Sequence, residues 1–295
     1  MPVMRAAYSA FMSLIFNPLP PSDNPFASWR GPVRAAIFDW AGTVLDHGCM
    51  APVVAFQTAF EEAGVPITEA EARAPMGAAK REHIEMILAQ PAVRERWITA
   101  KGESSSSEDV DDLYAAFLRV DAENCARFSC LIPGVVETMA ALRERGIAIG
   151  STTGYPRSIA DALIPLAAEQ GYRPDHVVTA SEARSRPFPD MVLHNAIALC
   201  APDVAACVVV DDSPSGLASA RAAGMWAIGV VDSGNEIGLP LDAWQALDAN
   251  EQARRRTAAA ARLDAGGAHY TIATIVDLPG AIDRIEARLA AGERP

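Results

Sequence analysis

The chain has 295 residues, 50% of them apolar and 21% charged, with a formal net charge of −12. That length holds one full core and a second, smaller unit, while the acidic balance argues against nucleic acid as a partner. Any anionic substrate therefore needs a local positive patch or a metal. Five cysteines, at 49, 125, 130, 200 and 207, are odd in number and lack CxxC spacing. They point away from a disulfide framework or zinc site and toward a reducing cytoplasm. No apolar run approaches the roughly 18–20 residues of a membrane span, so no membrane is expected as a partner.

In chain order, "MPVMRAAYSAFMSLIF" carries a lone Arg5 and an apolar run, which faintly resembles a leader peptide. The segment "NPLPPSDNP" follows instead of a small-x-small cleavage site, so a packed arm or a misplaced start reads better. Residues 17–32 read as a linker, making 1–32 an N-terminal extension. The first strand, 33–38, ends at Asp39 before a Gly-Thr turn. Helical spacing marks 52–64, which Gly64 ends, and 76–88. The polar run 101–109 enters the next helix through a capping box, Ser105-x-x-Glu108. From residue 131 strands and helices alternate: helix 135–145, a strand ending at Thr152, helix 156–170, strand 176–180, helix 189–200, strand 206–212, helix 214–223 and strand 226–231. Residues 242–266 read as one solvated helix, and the tail adds a strand and a closing helix. No internal repeat is present.

Such alternation predicts an α/β fold with a doubly wound, Rossmann-like parallel sheet. The helical block 48–130 interrupts it after the first strand and reads as an inserted cap. The core is then 33–47 plus 131–295.

Asp39 and the pair Asp211-Asp212 stand at the carboxyl ends of expected strands, where open α/β sheets bind ligands. An Asp in that place is often only a turn former or helix cap. Two such positions meeting would repel unless a cation lay between them, and Mg²⁺, with its preference for oxygen, suits the role.

"FDWAGTVLD", "GSTTGY", "RPFPD" and "VVDDSPSG" resemble the four ordered motifs of the haloacid dehalogenase superfamily. The resemblance implies that Asp39 is a nucleophile forming an aspartyl phosphate, a form of covalent catalysis. It implies that Thr153 holds a phosphoryl oxygen and Arg186 balances phosphoryl charge. Mg²⁺ would be held by Asp39, the Ala41 carbonyl and Asp212. Position 41 departs from the phosphatases of that superfamily, where an Asp protonates the leaving oxygen. Ala41 suits cleavage of a P–C bond, which leaves no oxygen to protonate; a degraded phosphatase would also carry it.

"PMGAAKREHI", "FDWAG…GCMAPVVAF" and "SCLIPG" closely resemble the phosphonoacetaldehyde hydrolase family. A lone helical Lys is ordinarily a solvated surface residue, and His83 could be a surface histidine. The resemblance instead makes Lys80 the amine that forms an imine with substrate, an electron sink for the breaking bond. His83, Met76, Cys49, Gly154 and Tyr155 match further site positions. On a helix 76–88, Met76, Lys80 and His83 share one face. Lys80 must become neutral to attack, which closure over an apolar wall of Met76 and Cys49 favours. His83, titrating near neutrality, is expected to relay protons.

Val44, Leu45, His47, Asp211 and Gly216 depart from the family pattern. The expectation is Mg²⁺-dependent hydrolysis of phosphonoacetaldehyde to acetaldehyde and phosphate. The expected partner is a small phosphonate, and the expected assembly a homodimer joined through the caps. Hinges are expected near 46–50 and 128–134. The alternatives are a P–O phosphatase or phosphomutase on the same fold, and a non-catalytic homologue that binds a phosphorylated ligand.

Overall fold

The computed structural model describes residues 29–295; the leader-like segment and most of the expected linker lie outside them. Six parallel strands form one sheet in the order β3-β2-β1-β4-β5-β6. They are β1 (Ala35–Phe38), β2 (Ala148–Thr153), β3 (His176–Thr179), β4 (Cys207–Asp211), β5 (Trp226–Val230) and β6 (Tyr270–Ile272). All four residues of β1 are buried, because helices cover both faces of a parallel sheet. Phe38 pairs with Ser151 on one side and Val210 on the other. The chain moves outward one way through β2 and β3 and the other way through β5 and β6. A crevice therefore opens at the carboxyl ends of β1 and β4.

Between β1 and β2 lies a helical block: α1 (Met50–Glu62), α2 (Glu69–Arg73), α3 (Lys80–Ala89), α4 (Pro91–Lys101) and α5 (Ser107–Asn124), followed by α6 (Val135–Glu144) against the sheet. Val110, Leu113, Phe117 and Val120 of α5 are buried at helical spacing, and this stripe packs on α1. Phe117 stacks on Phe56 with ring centroids 4.5 Å apart. Phe117→Ala should cost about 3–5 kcal/mol in a denaturant titration; a cost below about 1 kcal/mol would place Phe117 outside the cooperative core. The remaining helices are α7 (Arg157–Glu169), α8 (Asp190–Ala198), α9 (Pro214–Ala222), α10 (Leu241–Ala246), α11 (Ala249–Ala265) and α12 (Leu278–Ala290). None in the described residues is long and apolar enough to cross a membrane.

Three local expectations are corrected. The helix expected over 76–88 begins at Lys80, and Met76 lies in the preceding turn. Gly77 takes φ +95° there, a left-handed conformation that a helix does not continue through. The capping box at α5 sits one residue further on. Ser106 Oγ accepts from the Asp109 amide at 3.2 Å, and the Asp109 carboxylate accepts from the Ser106 amide at 2.7 Å. Residues 242–266 form two helices, with the Asp248 carboxylate capping α11 through the Asn250 and Glu251 amides. Their inner faces are not solvated: Trp244, Ala259 and Leu263 are buried in the core.

Candidate active site

Three adjacent strands deliver the site. Asp39 follows β1, and its amide donates to the Val210 carbonyl at 3.0 Å, fixing it beside β4. Thr153 ends β2, and Asp211 ends β4 with Asp212 next. Ligating oxygens of Asp39, Asp211 and Asp212 lie within 4.8 Å of one another, all buried. Asp212 Oδ2 accepts from the Asn235 amide at 2.7 Å and the Cys49 thiol at 3.1 Å. Asp211 Oδ1 accepts from the amide and hydroxyl of Ser213 at 2.9 and 2.7 Å.

Burial, then the neighbouring carboxylates, push Asp212 well above the usual carboxylate range; burial likewise raises Asp211. Arg186 offsets part of this charge. Its Nη2 lies 2.5 Å from Asp39 Oδ1 and its Nε 3.2 Å from Asp211 Oδ2. One guanidinium among three carboxylates leaves two negative charges unmatched, and the donors are all oxygen. A small divalent cation fits that set.

Gly42, at φ +81°, approaches this cluster so closely that a Cβ would overlap the Asp212 carboxylate and sit 2.5 Å from Cys49 Sγ. The departure at Gly216 has a similar cause. A Cβ there would overlap the Asp211 carboxylate, so an acid at 211 and a side chain at 216 exclude each other. His47 bonds the Leu239 carbonyl through Nδ1 at 2.8 Å, while Val44 and Leu45 enter the core.

The pocket lies between these strand ends and the helical block. From the sheet side Asp39, Ala41, Thr153, Gly154, Tyr155, Arg186 and Asp212 line it; from the block come Cys49, Met76 and Lys80, with Gly77 and Ala78. The structure thus gathers ten of the residues singled out in the sequence. Met76 reaches the wall from its turn.

Two glycines let the block come this close. A Cβ on Gly77 would overlap Ser215 Oγ, and one on Gly154 would lie 3.2 Å from the Ala78 carbonyl. Gly77→Ala should push Lys80 away from the strand ends and lower activity by on the order of 10²-fold; unchanged activity would show that this contact does not set the geometry. Arg73 makes the matching polar contacts, to the Gly48 carbonyl at 2.7 Å, Asn235 Oδ1 at 3.2 Å and the Gly238 carbonyl at 3.1 Å.

Lys80 is the first residue of α3 and only 7% exposed. Its Nζ stands 5.0 Å from the Tyr155 ring centroid and 5.9 Å from that of Phe56. Burial pulls its pKa down, against the carboxylates of Asp121 and Asp39. The positive end of the helix dipole also disfavours an ammonium there.

His83 does not join the lining. It is fully buried, its ring 4.1 Å from Phe56, and Nε2 donates to the Ala72 carbonyl at 2.7 Å. Burial, then the Lys80 charge, lowers its pKa to about 3. The expectation that it titrates near neutrality is therefore corrected: the imidazole is neutral. An unfolded His83 takes up a proton below its ordinary 6.5, while the folded one does so only near 3. Stability is thus lost as pH falls between those values, by about 2 kcal/mol at about pH 5. His83→Phe should remove that loss in thermal melts; an equal pH slope in both proteins would contradict it.

Two acids escaped the sequence reading. Asp46, at φ +55°, accepts from the amides of Met50 and Ala51 at 3.0 and 2.9 Å and caps α1. Burial raises its pKa to about 7. Asp121 is 1% exposed on the inner face of α5 and accepts from the Tyr155 hydroxyl at 3.4 Å. Its signal was an acid in register with the apolar stripe.

A buried Asp just past β1, a buried arginine and a carboxylate cluster stand together on a doubly wound sheet, and the model of the haloacid dehalogenase-like hydrolases matches residues 33–224, which places the chain in that class. A phosphonoacetaldehyde hydrolase of Hahella chejuensis is 47% identical over 268 residues, covering 90% of this chain and 91% of its own. One from Salmonella newport is 49% identical over 266 residues, covering 89% and 99%. The chain belongs to the phosphonoacetaldehyde hydrolase family within that class. A solved structure of a phosphonoacetaldehyde hydrolase-like protein from Oleispira antarctica superimposes with TM-score 0.89 at 43% identity, covering 91% of this chain and 98% of its own. A Pseudomonas syringae hydrolase at 18% identity and TM-score 0.60 shares the fold.

Proposed function

We propose that this chain hydrolyses the P–C bond of phosphonoacetaldehyde, giving acetaldehyde and phosphate, through a Lys80 Schiff base and an Asp39 phosphoenzyme. The names of the relatives support the substrate. The observation that carries the mechanism is a buried, charge-disfavoured Lys80 in one pocket with Asp39, opposite an Ala41 that offers no acid.

Neutral Nζ adds to the aldehyde carbon, and the carbinolamine takes up one proton and loses water to leave an iminium. Asp39 attacks phosphorus, and the P–C electron pair flows into the iminium to give an enamine. The enamine is protonated at carbon and hydrolysed to acetaldehyde, and water cleaves the aspartyl phosphate. Arg186 and Thr153 balance phosphoryl charge. Asp39, the Ala41 carbonyl and Asp212 would hold Mg²⁺, which supplies positive charge against the phosphoryl oxygens. The block 48–130 acts as a cap that opens on 46–50 and 128–134, admitting substrate and excluding water on closure.

With Mg²⁺ and phosphonoacetaldehyde, acetaldehyde and phosphate should appear in equal amounts. Phosphate released from simple phosphate esters, with none from phosphonoacetaldehyde, would overturn this reading in favour of a P–O phosphatase.

A further inference from the structure

We propose that Asp121 is the counter-ion of Lys80, a positioning residue that faces the nitrogen as an ammonium before substrate binds and as an iminium afterwards. The proposal rests on the Schiff-base reading and extends it to a residue outside the pocket lining.

A carboxylate buried on an apolar helix face is costly unless it is paired. Asp121 sits among Phe117 and Val120 at 1% exposure. The Tyr155 hydroxyl reaches it at 3.4 Å, long for a bond between oxygens. That bond is too weak to compensate the charge. Lys80 Nζ lies 5.0 Å from the centroid of the same Tyr155 ring, so amine and carboxylate flank one side chain.

Other charges near the pair are already engaged. Asp39 faces Lys80 but is held by Arg186 at 2.5 Å. Arg186 and the Cys49 thiol also face Lys80. Asp46 faces Asp121 but binds the Met50 and Ala51 amides. His83, on the same helix as Lys80, is neutral and bonded to Ala72. Burial raises Asp121 to about 6 and pulls Lys80 down; against burial, Lys80 is the leading charge that lowers Asp121, and Asp121 the leading charge that sustains the Lys80 ammonium.

Schiff-base chemistry needs such a partner. In balance, aldehyde plus ammonium gives iminium plus water. One positive charge precedes the step and one follows it, on the same nitrogen. Burial frees the amine, yet unopposed it would also deprotonate the imine, and a neutral imine is a poor electron sink. A fixed carboxylate keeps that nitrogen charged.

The test traps Lys80 with acetaldehyde and cyanoborohydride, without metal or phosphonate, and measures the adduct by peptide mass across pH. Asp121→Asn removes the charge at nearly the same shape. The ammonium loses its support, so the midpoint of trapping should move to lower pH by about one unit. The alkaline limb of kcat for acetaldehyde release should move the same way. A merely structural loss would lower the yield and leave both where they were, which would overturn the proposal. Tyr155→Phe removes the hydrogen bond and keeps the charge, and its midpoint should match the wild type. A midpoint that follows the bond instead overturns the proposal even if Asp121→Asn does not fold. No Lys80 adduct in the wild type overturns the Schiff-base reading, and this proposal with it. An adduct whose midpoint ignores Asp121 overturns this proposal alone.

Discussion

Lys80→Arg should reduce acetaldehyde formation from phosphonoacetaldehyde by on the order of 10⁴-fold or more. Arginine keeps the positive charge and similar reach, but its guanidinium stays protonated and forms no imine. Charge alone therefore does not rescue the reaction, because the carbanion released at the P–C bond has no acceptor. Lys80→Met makes the complementary point. Met fills the space beside Phe56 and Tyr155 but carries neither amine nor charge, so activity should fall as far as with Arg, and stability should fall too, because Asp121 is left buried without its counter-ion. Activity within about tenfold of wild type in either variant would show that the amine is not the electron sink.

Asp39→Asn should be equally damaging to phosphate release, again by on the order of 10⁴-fold, because an amide forms no acyl phosphate. Its informative feature is what survives. Lys80 stands on the helical block and Asp39 just past β1, so imine formation and phosphoryl transfer belong to different parts of the chain. The Asp39→Asn protein should still form the Lys80 adduct with phosphonoacetaldehyde. It should also lose part of the repulsion in the carboxylate cluster, so its melting temperature should match or exceed that of wild type. Phosphate release near the wild-type rate would remove Asp39 from the nucleophile's role.

Much of the site was legible because its chemistry lies at strand ends. A short apolar run closing on Asp39, and another on Asp211-Asp212, fix both position and neighbours once the sheet is parallel. The errors are local. "SSSSED" contains two overlapping boxes, and only the geometry of the loop selects Ser106 with Asp109. Met76 fits the helical period, but Gly77 folds the chain out of it. Leu247-Asp248 breaks a run whose composition looks uniformly helical. His83 was read by its ordinary titration, while its burial depends on α1, which brings Phe56 onto the ring. Asp121 escaped for a related reason: its hydrogen-bond partner Tyr155 lies 34 residues away, in the bend that follows β2. Periodicity marks such an acid as buried and leaves its partner unspecified.

The most direct measurement is borohydride reduction of the wild-type protein turning over phosphonoacetaldehyde with Mg²⁺, followed by mass mapping of its peptides. The account predicts one reduced adduct, on Lys80, formed in step with loss of activity. An adduct on another residue, or full phosphate release with no adduct at all, would contradict it.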